Sequence, residues 1–472
     1  MTGEWATQGY AIFAKRNIPY VVPTLDRGRI VILPPEQLKT VYKLPEDQLD
    51  VFGTLQEQIR AAYTVRYQRV VHDPYHRHLI PSQLTKNLAL FTNSMIGEIK
   101  DEITSSWGIN ADWTEVPIWR TCFRTAARVS NTALYGTVLC RDERYLQSPE
   151  SQTTAFFGGS LLISMTPMLF RPIVGYFVHK WCAYYSRKIA KICAPHIERR
   201  VRETTKNVQA KEGKVYMKGG LQIVIDEECA HNHATQLSSQ LIADRLLMTN
   251  NVTLNGVTFT IHHLILCLIS SNPTLRYIET IRDECATALQ EAGEWGLAAV
   301  RRLKLLDSAI RESLRIAPFS SVAMVRTVID PGGISIEHGK TPVTIPYGAT
   351  LVLPVERIHS DEEHYSDAQT FNAFRFVDLD PHSSSPNGRR NYTTISAATT
   401  ADRHFFGFGT SKNPCPGRFI AVHEIKLIMA YILLSYDLEY AYTELRCTDL
   451  LAMRVPKMDV TLQVRRRTSD NI

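Results

Sequence analysis

Residues 406 to 417 read FGFGTSKNPCPG, three glycines and two prolines around a single cysteine. Proline fixes φ and removes a backbone donor, and glycine tolerates sharp bends, so the stretch is neither helix nor central strand. The residues after it, Ala421 to Leu434, are apolar at helical spacing. Cys415 therefore stands in a bent loop just ahead of a helix N-terminus, where free N–H groups and the helix dipole favour thiolate over thiol. A thiolate so placed is either a nucleophile or a metal ligand. The nucleophile needs a histidine base, and His404 and His423 are close only in number. The ligand needs none.

Around that loop lie 472 residues, 44% hydrophobic and 21% charged, the composition of a globular protein with a large core. Large helical enzymes reach this size as one unit, so a single domain over residues 1–472 is expected. The net charge of +6 is spread over short clusters such as Arg199-Arg200 and Arg465-Arg466-Arg467, which argues against nucleic-acid binding. Nine cysteines, an odd count at irregular spacing, argue against a disulfide framework or a paired-cysteine zinc site. The start, MTGEWATQGYAIFAKRN, lacks the apolar core of a signal peptide. The run from Glu227 through Cys229 and His231 to His233 offers metal-ligand types, but at no zinc-site spacing, and reads as a polar helix start.

Helical periodicity recurs in Val51–Tyr67, Leu84–Ser105, Trp119–Leu139 and Val174–Arg202. Leu237–Leu268 reads as one long buried helix, and Leu303–Ile316 as another stopped by Ala317-Pro318. Tyr20–Leu33 reads as a hairpin around Asp26-Arg27-Gly28. Strands are expected in Ser321–Ile329, Gly333–Ile336, Thr341–Val355 and Val460–Val464, and a polar loop from Asp380. The apolar stretch Phe156–Phe177 has spanning length, but Pro167, Arg171 and Pro172 interrupt it, so a helix pair that is buried or touches lipid is expected.

FGFGTSKNPCPGRF resembles the haem-binding loop of the cytochromes P450, with Phe408, Cys415 and Gly417 in the frame F-x-x-G-x-x-x-C-x-G. Glu312-Ser313-Leu314-Arg315 matches the family's E-x-x-R, and FNAFRF (Phe371 to Phe376) resembles the segment whose arginine, here Arg375, joins that pair. Alone, Glu312 and Arg315 are an ordinary i,i+3 ion pair. LPPEQLKTVYKLPEDQLDVF, LIPSQLTKNL, YIETIRDEC and IHSDEEHYSDAQTFNAFRF extend the resemblance over nearly the whole chain, to the fungal microsomal branch that includes ent-kaurene oxidases and indole-diterpene oxygenases.

The resemblance implies a mainly α fold with small β-sheets, a helical bundle around haem with a long central helix. It implies haem b (iron protoporphyrin IX) with Cys415 as axial ligand, whose thiolate pushes electron density that favours O–O cleavage. It implies a monooxygenase acting with O2 on a bulky lipophilic substrate, terpenoid secondary metabolites included, with electrons from NADPH through NADPH-cytochrome P450 reductase. A haem protein that isomerises, dehydrates or only binds its ligand is the alternative. Glu312, Arg315 and Arg375 form the structural network on the proximal side. Phe408 is expected to pack near the sulfur, and Gly417 to permit close approach of backbone. Lys412 and Arg418 flank the loop and are expected to face the reductase.

This chain departs from the pattern in several places. Ser411 stands where the family has glycine, Asn413 replaces a cation two residues before the cysteine, and Pro81 occupies a position that is often basic. Another cation must then meet the haem propionates; Arg326 is the first candidate, followed by Arg77, His78 and Lys86. On the distal side, counting back from YIETIRDEC puts Phe259 at the family's threonine, flanked by Thr258 and Thr260, with Gly256 suited to a kink. Either threonine relays protons to oxygen, or both bond only to their own helix carbonyls. The branch resides on the cytosolic face of the endoplasmic reticulum behind an N-terminal anchor. This chain begins almost at its first family-like helix, GYAIFAKRN, and is expected to reach the membrane without one, through Phe156 to Phe170.

Overall fold

The computed structural model describes residues 8–24, 26–210, 219–231, 238–336, 342–384, 390–410, 412–440, 447–450 and 453–468. The fold is mainly helical. Its principal helices are α1 (His76–Lys86), α2 (Leu88–Trp107), α3 (Ile118–Leu134), α4 (Ser148–Met165), α5 (Arg171–Ala210), α6 (Gly220–His231), α7 (Ser239–Ser270), α8 (Tyr277–Ala292), α9 (Lys304–Ile316), α10 (Val355–His359) and α11 (Arg418–Ser435).

The long helix expected from Leu237 is α7, whose N-cap Ser238 accepts the Leu241 N–H. It packs against α3, α5, α9 and α11. By length and composition α7 could cross a membrane, but Leu254, Ile261, Leu264 and Ile265 are fully enclosed by these neighbours, and it is the centre of the molecule. Burying a side chain of that size contributes about 1.5–3 kcal/mol, which is why the apolar run settles inside. One core cluster joins α7 to α2, α3, α8, α9 and α11.

A five-stranded sheet lies beside this bundle: β1 (Tyr20–Thr24), β2 (Gly28–Ile32), β3 (Leu49–Asp50), β4 (Ala323–Val328) and β5 (Thr350–Leu353), in the order β1-β2-β5-β4-β3. The hairpin before it forms as expected, with Tyr20 opposite Ile32 and Gly28 at φ +76. The closing strand, Thr461–Arg466, pairs with both Tyr436–Tyr440 and Thr114–Pro117.

Some expectations fail for local reasons. The helix expected over Val51–Tyr67 breaks into Phe52–Gln58 and Ala61–Thr64, because Arg60 takes a left-handed conformation between them. Leu84–Ser105 divides at Asn87 between α1 and α2. Thr341–Val355 splits at the Pro346–Gly348 turn, where Gly348 has φ +78, and Val355 already belongs to α10. The loop expected from Asp380 is instead a strand pair, Val377–Ser384 with Arg390–Thr394, its polar composition hiding ladder contacts such as Leu379 opposite Tyr392. Phe156–Phe177 is a helix pair, α4 and α5, joined by the turn Met168–Phe170.

Candidate active site

Cys415 lies three residues before the start of α11, as the loop chemistry predicts. Its N–H donates to the Phe408 carbonyl at 2.7 Å, which folds the loop back on itself. Gly409 makes that fold possible, with φ +70 and the Met324 sulfur 3.4 Å from where a Cβ would stand. Among the eight described cysteines only Cys415 is exposed. Against the expected preference for thiolate, its thiol is raised above the ordinary cysteine value, because burial outweighs the opposing pull of the Gly417 and Arg418 N–H groups and the Arg418 guanidinium. The Phe408 ring packs against the main core. Gly417 differs from expectation: a Cβ there would meet no protein atom within 4 Å, so no backbone neighbour demands glycine. Ser411 lies outside the described residues.

The three network residues, scattered over more than sixty positions, meet. Arg315 donates to both Glu312 oxygens at 2.7 Å, and Arg375 Nε reaches the same carboxylate at 3.0 and 3.1 Å. The Asn372 N–H adds a further donor at 3.0 Å. Glu312 and Arg315 are wholly buried, so their charges persist only because every lone pair and donor is matched. Arg315 also donates to the carbonyls of His359 and Ala368 at 2.6 and 2.7 Å.

Two further residues, which the sequence did not single out, carry this network to the cysteine loop. His359 Nε2 accepts the Phe406 N–H at 2.9 Å, and its ring stacks on Phe405 at 5.3 Å. Burial and the adjacent Arg315 pull its pKa down to about 3, so the ring stays neutral and able to accept. Arg311, one residue before Glu312, is fully buried; it pairs with Asp402 and lies 3.7 Å over the Phe405 ring. Asp402 in turn accepts the N–H groups of His404 and Phe405 at 2.8 Å. Neither E-x-x-R spacing nor the loop motif contains Arg311 or His359; the arginine's place on the buried face of α9 was the available signal.

Arg326, the first cation expected to meet a propionate, is a buried residue of the five-stranded sheet. Arg326 on β4 is only 7% exposed and has no ion pair among the described residues; its guanidinium donates to its neighbour's carbonyl and sits 5.3 Å over Tyr42. Arg77 is partly buried, likewise without an ion pair among the described residues, and stacks on Phe52 at 4.4 Å. Burial lowers the pKa of both guanidiniums. Two cations drawn from water with no described carboxylate partner are costly unless an anion meets them. Both border the segment Tyr42–Phe52, Arg326 at Tyr42 and Arg77 at Phe52. His78 is exposed and lines a cavity of about 670 Å³ with Leu79, Ser82, Lys86, Pro416 and Phe419.

On α7 the exposed positions Val252 and Gly256 share one face with Thr260 and His263, since about 100° separates successive residues. Thr260 donates to the Gly256 carbonyl at 2.8 Å, a back-bond within the continuous helix α7. Thr258 lies about 200° round the helix from Gly256. It is wholly buried, with its hydroxyl unbonded among the described residues, so it is turned away from that face and the relay candidate reduces to Thr260. Phe259, between them, stacks on Trp119 and on Phe319 at 5.4 and 5.2 Å. Phe319 is 40% exposed and presents an apolar wall beside this face.

Part of the run after Glu227 lies among the described residues. Glu228 on α6 is bound by Arg245 at 2.9 Å, no cluster of three ligand types occurs among the described residues, and Asn232 and His233 lie outside them.

Comparison with known proteins agrees with this geometry. The family model for cytochrome P450 matches residues 76–459. The chain is 35% identical to the cytochrome P450 monooxygenase okaG of Penicillium ochrochloron, over 99% of this chain and 89% of that protein. It is 27% identical to the cytochrome P450 monooxygenase gloP of Glarea lozoyensis, over 98% and 86%, and 30% identical to the cytochrome P450 monooxygenase htyF of Aspergillus rugulosus, over 92% and 64%.

Proposed function

The chain belongs to the cytochrome P450 family and is a monooxygenase, and from that premise we propose that it inserts one oxygen atom from O2 into a lipophilic secondary metabolite, with electrons from NADPH through a cytochrome P450 reductase. The observation that carries the reading is the accessible Cys415 thiol at the head of α11, tied through Phe406, His359 and Arg315 to a buried charge network. The terpenoid class of substrate rests on the sequence resemblance alone.

Haem b would be held by the Cys415 thiolate and would supply oxygen activation, to which the sulfur would lend electron density. Arg326 and Arg77 would hold its propionates in place of the cation that Asn413 does not provide. Phe259 and Phe319 exclude water and favour an apolar substrate. Thr260, released from its bond to Gly256, holds or passes a proton at Oγ1. The purified protein, reduced and treated with carbon monoxide, should show a thiolate-haem spectrum and consume O2 in forming an oxygenated product. A thiolate-haem spectrum with substrate conversion that needs no O2 would instead identify an isomerase or dehydratase.

Thr260→Ala should leave haem content unchanged but divert most of the O2 consumed into peroxide. Thr258→Val, which removes only an enclosed and unbonded hydroxyl, should keep wild-type coupling. Full coupling in Thr260→Ala would overturn the relay assignment.

The reductase reading needs one correction. Arg418 donates to the Cys415 carbonyl at 2.9 Å and stacks on Phe419 at 4.4 Å, so it supports the loop and is unsuitable for testing docking. Lys412 and Lys86 are both exposed. Changing both to glutamine should slow reduction about 3- to 10-fold at low salt and leave substrate affinity unaltered. Equal slowing at every ionic strength would point to a damaged pocket instead.

We assign the protein to the cytosolic face of the endoplasmic reticulum, touching the bilayer at the turn between α4 and α5. Phe156, expected in that contact, is 1% exposed and packs against Val65, Val70 and Val71. Met168 and Leu169, 83% and 82% exposed, form the tip.

A further inference from the structure

Resting on that membrane reading, we propose that the exposed face of α5 grades the contact by depth and selects anionic lipid headgroups. Next to the tip, α5 exposes Ile173, Tyr176 and Phe177. The same face continues with Trp181 and Tyr184, then with Arg187, Lys188 and Lys191, all exposed. At about 100° per residue these positions fall on one side of the helix, and at about 1.5 Å per residue the cations begin some 20 Å from Ile173. Apolar, aromatic and cationic groups thus follow one another along a single face. A bilayer presents hydrocarbon, then the interface where tryptophan and tyrosine concentrate, then phosphate. A helix lying obliquely across that boundary matches each layer in turn. Lys180, its ammonium 5.3 Å from the Tyr176 ring centroid, reaches along the helix by its flexible stem.

Charge decides the lipid class. From Ser151 to Ile197 there is no acidic residue, in a chain that has 47. Lys180, Arg187, Lys188 and Lys191 make no ion pair among the described residues. Beyond that stretch the same helix behaves differently: Arg202 approaches Glu198 at 3.9 Å and Arg199 approaches Glu203 at 4.0 Å. The carboxylates that neutralise the far end are missing where the aromatic stripe emerges. A zwitterionic surface offers such cations no net attraction, whereas an anionic leaflet strengthens binding roughly fivefold for each cation near it.

The full-length holoenzyme should therefore be floated with vesicles of phosphatidylcholine alone and of phosphatidylcholine with phosphatidylserine, at low and high salt. Wild type should bind both, and the anionic vesicles about 100- to 600-fold more tightly at low salt, the upper figure if all four cations reach the headgroups. Changing Lys180, Arg187, Lys188 and Lys191 together to glutamine should remove that preference while neutral binding and the haem spectrum persist. Met168→Ser with Leu169→Ser and Phe170→Ser should weaken binding to both vesicles. Equal binding of wild type to the two vesicles overturns the headgroup proposal and leaves the membrane contact standing. Binding to neither overturns the membrane contact itself, and points to an acidic protein partner for this face.

Discussion

Cys415→Ala is expected to abolish the thiolate-haem spectrum and all oxygenation together. Of the eight described cysteines it alone is exposed. The others cannot substitute: burial drives the thiols of Cys122, Cys182, Cys193 and Cys285 upward, and a buried neutral thiol is neither a ligand nor an electron donor. Burial raises the Cys415 thiol as well, so exposure and its place in the loop ahead of α11, not a lowered pKa, set it apart. Cys447→Ala, whose side chain lies outside the described residues, is the control and should change neither property. The visible spectrum of the reduced protein with carbon monoxide reads the ligand directly. A second readout needs no turnover: in the haem-free protein Cys415 should be the first described cysteine to react with a maleimide, and loading with haem should protect it. If Cys415 only packs the loop, the alanine variant keeps its spectrum and activity, and the reading of the whole site fails.

Much of this site was legible because its signals are local. A cysteine between prolines ahead of an apolar helix states its environment in a dozen residues, and Glu312 and Arg315 share a helix face by spacing alone. What the sequence hid depends on contacts between distant segments or on helix phase. His359 and Phe406 meet across 47 positions, and Arg311 and Asp402 across 91. Thr258 and Thr260 are equivalent in a count from a downstream motif. Two residues' rotation of a helix then places one in the core and leaves the other on the face of Val252 and Gly256. The Arg60 break was illegible for another reason: no residue type there announces a left-handed backbone.

Removing Glu312 should have the largest effect on stability. In Glu312→Ala two guanidiniums remain, Arg315 fully enclosed and Arg375 11% exposed, with their shared carboxylate gone. Breaking a buried pair in this way costs about 3–5 kcal/mol, a large part of the roughly 5–15 kcal/mol that holds a domain folded. Arg315→Ala should cost less, because Glu312 keeps Arg375 and the Asn372 N–H. It should still damage the site, since the carbonyl of His359 loses a donor and His359 holds Phe406 at the entrance to the cysteine loop. Arg315→Lys retains the charge but has no planar fork with which to grip the carboxylate and two carbonyls at once, so it should resemble the alanine variant more than wild type. Urea unfolding followed by circular dichroism, with haem content measured in parallel, separates the two effects. The expected order of midpoints is wild type, Arg315→Ala, then Glu312→Ala, and haem content should fall already in Arg315→Ala. An unchanged midpoint in Glu312→Ala would mean that the buried network is not what supports the proximal side, and the path from α9 through His359 to Cys415 would lose its physical basis.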